Sequence, residues 1–314
     1  MLTHGPHGWL GKVLLRKARV QLLVICKFAF EIGCHYVLSY ELADYSQIVA
    51  RALAEDIGSG DVTSENTVPV DLLAEGVFNA KQHLVLAGVD ILRIIFPVLE
   101  VLHKDGDVLE KGDPIARTRG LARSLLTHER VALNFLQRLS GIATLTRTYV
   151  DAVAGTNAKI LDTRKTTPGL RTLEKMATHA GGAVNHRMGL WDAILIKNNH
   201  IDLAGGIKPA VSQALKSGLP VECEVRTHEE IVDALQLGVS RLLLDNMTPA
   251  QAKQEIDFIK IQSTNACSVE ISGGVTLATV RAYAETGADF ISVGALTHSA
   301  TAVDISFSIR PLHQ

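Results

Sequence analysis

From residue 159 to residue 293 the chain repeats one rhythm: a short apolar run that stops in polar or charged residues, then a stretch with helical periodicity. The runs are Lys159–Thr163, Ala193–Lys197, Val221–Glu224, Arg241–Asp245, Ser268–Ser272 and Phe290–Val293, and His228–Leu237, Pro249–Ile261 and Leu277–Thr286 read as helices between them. Alternating β and α elements of this length demand parallel strands joined by right-handed crossovers. Nearly continuous apolar strands such as Ala193-Ile194-Leu195-Ile196 suit burial on both faces. A doubly wound sheet meets the same pattern, but polar residues at the end of every strand favour a barrel, whose sites gather on the carboxyl-terminal rim. Only six such units can be counted, so a full eight-stranded barrel is not supported.

The first half reads differently. Leu42, Tyr45, Ile48, Val49, Ala52 and Leu53 recur at helical spacing, and Gly58-Ser59-Gly60 stops that helix. Between Leu73 and Arg117, alternating apolar segments are punctuated by Asp105-Gly106-Asp107 and Lys111-Gly112-Asp113-Pro114, which read as turns between strands of a small α/β domain. Thr127–Val153 is a long helical stretch linking the two parts, with a break expected near Ser140-Gly141. The resulting division is a basic extension at 1–40, an α/β domain at 41–141, the barrel at 142–296 and a terminal segment at 297–314 that returns to the first domain.

Residues 1–40 carry a net charge of +4, leaving −6 for the remainder of a chain whose total is −2. That balance argues against a general nucleic-acid binder. Val20–Phe30 resembles a signal core, yet Lys27 and Glu31 interrupt it and it is too short to span a bilayer, so an extra helix that adds little to function is the simpler reading. Cys26, Cys34, Cys223 and Cys267 form no CxxC pair, which fits a reducing cytoplasm with no membrane anchor.

The strand ends carry the chemistry. Asp162-Thr163-Arg164-Lys165-Thr166-Thr167-Pro168-Gly169 sets cations beside hydroxyls, and Asn185-His186-Arg187 and Lys197 add more positive charge. Glu222, Glu224 and Asp245 end two other runs in carboxylates, while Ser272-Gly273-Gly274 and Ser292-Val293-Gly294 leave room for backbone N–H groups to cradle a phosphate. Together these ends describe a site for a multiply anionic substrate and a metal with oxygen ligands. Taken singly they are weaker: Arg130 beside Glu129 reads as a solvated surface charge, and His186 alone as a structural histidine.

Read in order, Glu55-Asp56-Ile57-Gly58, Gly60-Asp61-Val62-Thr63, Glu129-Arg130-Val131-Ala132-Leu133-Asn134, Leu139-Ser140-Gly141, the Asp162–Gly169 segment, Asn185-His186-Arg187, Asn199-His200-Ile201, Leu244-Asp245-Asn246, Ser272-Gly273-Gly274-Val275 and Ile291–Thr297 resemble the quinolinate phosphoribosyltransferase family. The resemblance runs from about Leu42 to Ile309. It implies an amino-terminal α/β sandwich, an open six-stranded TIM-like α/β barrel and a homodimer with shared sites. It also implies phosphoribosyl transfer from 5-phosphoribosyl 1-diphosphate to quinolinate with decarboxylation, assisted by Mg2+. By the same match, Arg164, Lys165, Thr166, His186, Arg187 and Lys197 surround the substrate, with Arg130 entering from the neighbouring subunit. Glu224 and Asp245 serve the ribosyl diphosphate and metal, and Ser272, Gly273, Gly274, Ser292, Val293 and Gly294 bind phosphate. Lys165, Lys197 and water are the candidates for protonating the ring. Asn198 and Leu121 depart from the family pattern, as does Gln82-His83-Leu84-Val85. The alternatives are transfer to another pyridine or pyrimidine acid, a Schiff-base aldolase using Lys197, and a non-catalytic binder.

Overall fold

The computed structural model describes residues 45–263 and 267–312, so the basic segment at 1–40 lies outside the described residues. Its first part holds α1 (Ser46–Ile57), α2 (Val62–Thr67), β1 (Leu73–Ala80), β2 (Leu84–Val85), α3 (Val89–Ile95), β3 (Leu99–Val101), β4 (Val108–Leu109) and β5 (Pro114–Leu121). A strand from the other end of the chain, β12 (Ile305–Pro311), joins them, giving a sheet in the order β12-β1-β5-β3. β1 is antiparallel to both neighbours, and Glu75 stands opposite Arg119 on one side and Arg310 on the other. Its carboxylate accepts from both guanidinia, while on the opposite face Gly76 leaves room for the Phe307 ring.

A single helix of 31 residues, α4 (Ala122–Ala152), follows. At 1.5 Å per residue it is about 46 Å long. The break expected at Ser140-Gly141 does not occur. The reason is tertiary: a Cβ on Gly141 would overlap the Thr301 carbonyl, and Ser140 Oγ is spent on Ala87, accepting from its N–H at 3.1 Å and donating to its carbonyl at 3.2 Å. These two small residues let the chain on either side approach the helix. Val131, Leu136, Leu139 and Ile142 of α4 lie in the core under the first sheet, and Tyr149 and Val153 lie in a second core around the barrel.

The barrel comprises β6 (Lys159–Leu161), α5 (Arg171–Ala180), β7 (Ile194–Ile196), α6 (Asn198–Leu203), α7 (Ile207–Leu215), β8 (Val221–Val225), α8 (His228–Gln236), β9 (Arg241–Asp245), α9 (Pro249–Gln262), β10 (Ser268–Ser272), α10 (Leu277–Ala284), β11 (Phe290–Ser292) and α11 (Ala295–His298). Its six strands pair in the order β6-β11-β10-β9-β8-β7, all parallel. From β7 onward each strand lies beside the next in sequence, so the sheet winds in one direction, and β6 and β7 form its two edges. Val184 leans on β6 at the open edge, donating its N–H to the Ile160 carbonyl at 2.9 Å.

Side chains alternate across these strands. Ile160, Ile196, Cys223, Val225, Leu242, Leu244, Val269, Ile271 and Ile291 face the outer helices and make the second core. The residues between them, in matched register, face inward: Leu161 and Ser292, Leu195 and Glu222, Glu224 and Leu243, Glu222 and Arg241, Asp245 and Ser272. The barrel therefore has an apolar jacket and a partly charged lumen. No helix among the described residues is long and apolar enough to cross a membrane.

Candidate active site

Past Leu161 the chain enters the loop that carries Arg164, Lys165 and Thr166. α5 opens at Arg171, whose Nε donates to Thr166 Oγ1 at 3.1 Å and whose Nη1 donates to the Met188 carbonyl at 3.2 Å. One guanidinium thus ties the first cationic loop to the second. Arg187 in that second loop is buried, and its Nη1 donates to the Ala193 carbonyl at 2.8 Å, just before β7. Arg164 is half-buried, and its Nε has no hydrogen-bond partner in the protein. A donor left this way costs free energy until an acceptor reaches the group. Lys165 is exposed, but Thr297 Oγ1 donates to its carbonyl at 2.8 Å and its N–H donates to Thr163 Oγ1 at 3.0 Å, so its backbone is fixed. A brace beneath the loop comes from Glu174, which accepts from Thr167 N–H at 3.0 Å and from Arg138 Nη2 at 3.0 Å.

Across the rim, Lys197 forms an ion pair with Glu224, whose other oxygen accepts the Asn198 N–H at 3.3 Å. Asp245 lies on the same face of the neighbouring strand, since Glu224 is registered with Leu243. Asn246 Nδ2 donates to Asp245 Oδ2 at 2.7 Å, and Asn246 has a left-handed φ of 56°. Its side chain crosses the next strand end: a Cβ on Gly273 would overlap it, and Gly273 has a φ of 96° that itself favours glycine. Two carboxylates at adjacent strand ends are hard oxygen donors of the kind magnesium takes.

The last strand end gives a tighter cradle. A Cβ on Gly294 would stand 2.9 Å from Lys165 Cδ and 3.1 Å from His298 Nε2, so glycine, lysine and histidine converge there. The neighbouring residues are engaged by the sheet. Ser292 is buried with its hydroxyl donating to Glu270, and Val293 spends its N–H on the Leu161 carbonyl at 3.0 Å while its side chain packs in the outer core. Of the Ser292-Val293-Gly294 set, only Gly294 faces the cradle, because the sheet has already claimed the other two.

Below the rim, the lumen holds a charge cluster. Arg241 donates through Nε to Glu222 at 3.1 Å and through Nη2 to Glu270 at 2.6 Å, and its guanidinium lies 4.2 Å from the centre of the Phe290 ring. His186 Nδ1 accepts the Arg187 N–H at 2.7 Å, leaving the proton on Nε2, which faces Glu222 at 3.2 Å and Glu270 at 3.6 Å. Burial pushes the His186 pKa down, but Glu270 and Glu222 together raise it. Burial likewise pushes Glu222 up, yet the His186 hydrogen bond and Arg241 bring it down to about 2. Glu270 is raised, by burial first and then by the charge of Glu222. His186, Glu222 and Glu270 offer three ligand atoms within 4.8 Å of one another, but Arg241 already pairs with both carboxylates.

The amino-acid sequence matches two successive family models, the quinolinate phosphoribosyl transferase N-terminal domain over residues 61–140 and its C-terminal domain over residues 142–308. The chain belongs to the quinolinate phosphoribosyltransferase family. A chloroplastic relative from Oryza sativa subsp. japonica, named nicotinate-nucleotide pyrophosphorylase [carboxylating], is 42% identical over 290 residues, covering 85% of this chain and 78% of its own. A Bacillus subtilis (strain 168) protein with the same name, marked probable, is 43% identical over 264 residues, covering 81% and 90%. The crystal structure of nicotinate-nucleotide pyrophosphorylase from Ehrlichia chaffeensis superposes with a TM-score of 0.81 at 37% identity, covering 86% of this chain and all of that one.

In this member of the quinolinate phosphoribosyltransferase family, the structure joins Thr166 to the Arg187 loop through Arg171, Lys197 to Glu224, Asp245 to Gly273 through Asn246, and Lys165 to Gly294. It does not join Arg130, which is exposed on α4; among the described residues no hydrogen bond or ion pair links it to this rim. Sequence reasoning missed His298, Arg241 and Glu270, and saw Arg171 only as one of the cations in the stretch after β6. For His298 a signal existed, since it follows a glycine-bearing strand end by four residues. For Arg241 and Glu270 there was none: both sit inside strands, and only closure of the sheet sets them against Glu222.

Proposed function

We propose that this protein transfers the phosphoribosyl group of 5-phosphoribosyl 1-diphosphate to quinolinate, with decarboxylation, to give nicotinate mononucleotide, diphosphate and CO2 in NAD biosynthesis. The observation that carries this reading is the meeting, on one rim, of basic residues from two loops and β7 with the carboxylates of Glu224 and Asp245 and the glycines of two strand ends. Family membership supports it, and relatives named quinolinate phosphoribosyltransferase [decarboxylating] are 40–41% identical to the chain.

Quinolinate carries two carboxylates, and Arg164 and Arg187 match them with planar guanidinia, with Lys197, Lys165 and Thr166 alongside. His186 presents its ring from a fixed backbone. Gly273, Gly274 and the Lys165–Gly294–His298 cradle suit the phosphate end of the second substrate. Glu224 and Asp245 would hold Mg2+, which when bound offsets charge on the departing diphosphate. The pyridine nitrogen attacks the anomeric carbon as the diphosphate leaves, and these carboxylates face the positive charge that develops on the ribose. The quaternised ring then accepts the electron pair released as CO2 departs, and a proton replaces the lost carboxylate.

A homodimer is part of the same proposal, because Arg130 needs a second copy to reach a rim. The free thiols of Cys223 and Cys267 fit a reducing compartment such as the cytoplasm. Lys197 is engaged in an ion pair with Glu224, an arrangement that suits anion binding better than Schiff-base chemistry.

The test is incubation of the protein with Mg2+, 5-phosphoribosyl 1-diphosphate and either quinolinate or nicotinate, following CO2 and mononucleotide. Product and CO2 from quinolinate are expected. Product from nicotinate alone would overturn the substrate assignment.

A further inference from the structure

The segment that carries His186 and Arg187 lies where the barrel is open. Val184 is the last residue there to bridge to β6, and β7 is an edge strand on the other side. Beyond Val184 no strand among the described residues takes up the backbone groups of the loop, which a buried segment must satisfy somehow.

Asp162 and Lys175 supply the missing partners. Both are 0% exposed and form an ion pair with each other. Asp162 Oδ1 accepts the His186 N–H at 2.8 Å, and Lys175 Nζ donates to the His186 carbonyl at 2.8 Å. Both backbone groups of one residue are therefore held, one by each member of a single buried pair. The other contacts of the pair reinforce the grip: Thr178 Oγ1 donates to Asp162 Oδ2 at 3.0 Å, and Asn185 Nδ2 donates to the same carboxylate and to the Lys175 carbonyl at 2.9 Å. Asp162 comes from the end of β6 and Lys175 from the middle of α5, so the pair fastens the loop to two elements at once. Burial lowers the Lys175 pKa, and Asp162 works against that shift.

We infer that Asp162 and Lys175 are positioning residues, whose ion pair replaces a missing strand and sets the direction in which His186 and Arg187 meet the dianionic pyridine substrate. The inference rests on the substrate reading above. A pair that only held the fold together could be exchanged for apolar side chains of similar size with little loss, since burying two charges offsets most of what their attraction contributes. Here that exchange leaves the peptide groups of His186 without partners. A shift of the loop by about 1 Å is worth roughly a hundredfold in a site that depends on orientation.

The experiment compares the wild type with Asp162→Leu/Lys175→Met and, as a milder change, Thr178→Val. Three quantities are measured on the full chain: exchange of the His186 amide hydrogen, affinity for quinolinate and affinity for 5-phosphoribosyl 1-diphosphate. For the double variant we expect a lowered unfolding midpoint, because the His186 peptide groups lose their partners, together with much faster amide exchange and quinolinate affinity lower by roughly a hundredfold with ribosyl-diphosphate affinity kept. Thr178→Val removes a hydroxyl that meets Asp162 and also the Lys175 carbonyl at 2.8 Å and Asn185 Nδ2 at 3.1 Å, and should cost about tenfold or less in quinolinate affinity alone. Unchanged exchange and unchanged affinity in Thr178→Val and in a folded double variant would overturn the inference, as would parallel loss of both substrates. If the double variant does not fold, Thr178→Val decides alone. A wild type that fails to bind quinolinate would instead sink the substrate reading, and the exchange data would still judge whether the pair grips His186.

Discussion

Replacing Arg241 by methionine removes the only arginine among the described residues that pairs with both Glu222 and Glu270. Methionine keeps most of the stem that packs in the lumen, so the change isolates the charge. Both carboxylates are almost wholly buried, and the His186 ring, the Ser292 hydroxyl and the contact of the two carboxyls with each other would be left to meet them. Stripping one partner from a buried ion pair costs about 3–5 kcal/mol. With a urea dependence of about 2–3 kcal/mol per molar, the unfolding midpoint should fall by about 1–2.5 M. The loss should also depend on pH. Glu270 already has a folded pKa above its usual 4.5, so it binds a proton more readily folded than unfolded. Stability from such a group is full below the unfolded value and is lost as pH rises through the folded one. Without Arg241 the folded value rises further, and the variant should be closer to wild type at about pH 5.5 than at about pH 8. Urea titrations of both proteins at the two pH values provide the measurement. A cost below about 1 kcal/mol at the higher pH, of the size expected for a surface pair, would refute the reasoning, as would an identical cost at both.

Other outcomes follow from the rim. Arg187→Ala should weaken quinolinate binding by about 2–5 kcal/mol and leave ribosyl-diphosphate binding nearly intact, read by calorimetry with each substrate in turn; equal losses would mean the pocket is divided differently. Lys197→Met frees Glu224 from its competing cation, so Mg2+ should bind more tightly in the presence of the diphosphate while quinolinate binds less well. Metal titration showing no gain would remove Glu224 from the metal site. Gly273→Ala forces a side chain onto Asn246 at a left-handed φ, and should cost at least about 1 kcal/mol of stability along with ribosyl-diphosphate affinity, checked by thermal unfolding and by the Michaelis constant for that substrate. Normal values for both would show that the Asn246 contact is dispensable.

Much of this protein was legible before any coordinates. Strand positions in the second half are set by short apolar runs, and the bounds of β8, β9 and β10 follow them almost residue for residue. Rim cations and carboxylates were also visible, because a charge ending an apolar strand stands out locally. Other features depended on contacts between distant segments. Gly141 looks like a helix breaker until Thr301 arrives beside it, and Ser292 and Val293 look like a phosphate loop until Glu270 and Leu161 claim them. Glu174 and Lys175 lie on a helix that local pattern did not single out, and both are fully buried beneath the site.

The amino-acid order alone therefore determined the alternation of elements, the family and the chemical character of the strand ends, since each is written in the spacing of neighbouring residues. Tertiary structure decided which charges pair. Ion pairs such as Lys175 with Asp162 and Arg241 with Glu222 and Glu270 join residues 13 to 29 positions apart, and whether such groups are solvated, neutralised or poised for a ligand depends on the burial and partners that only closure of the barrel supplies.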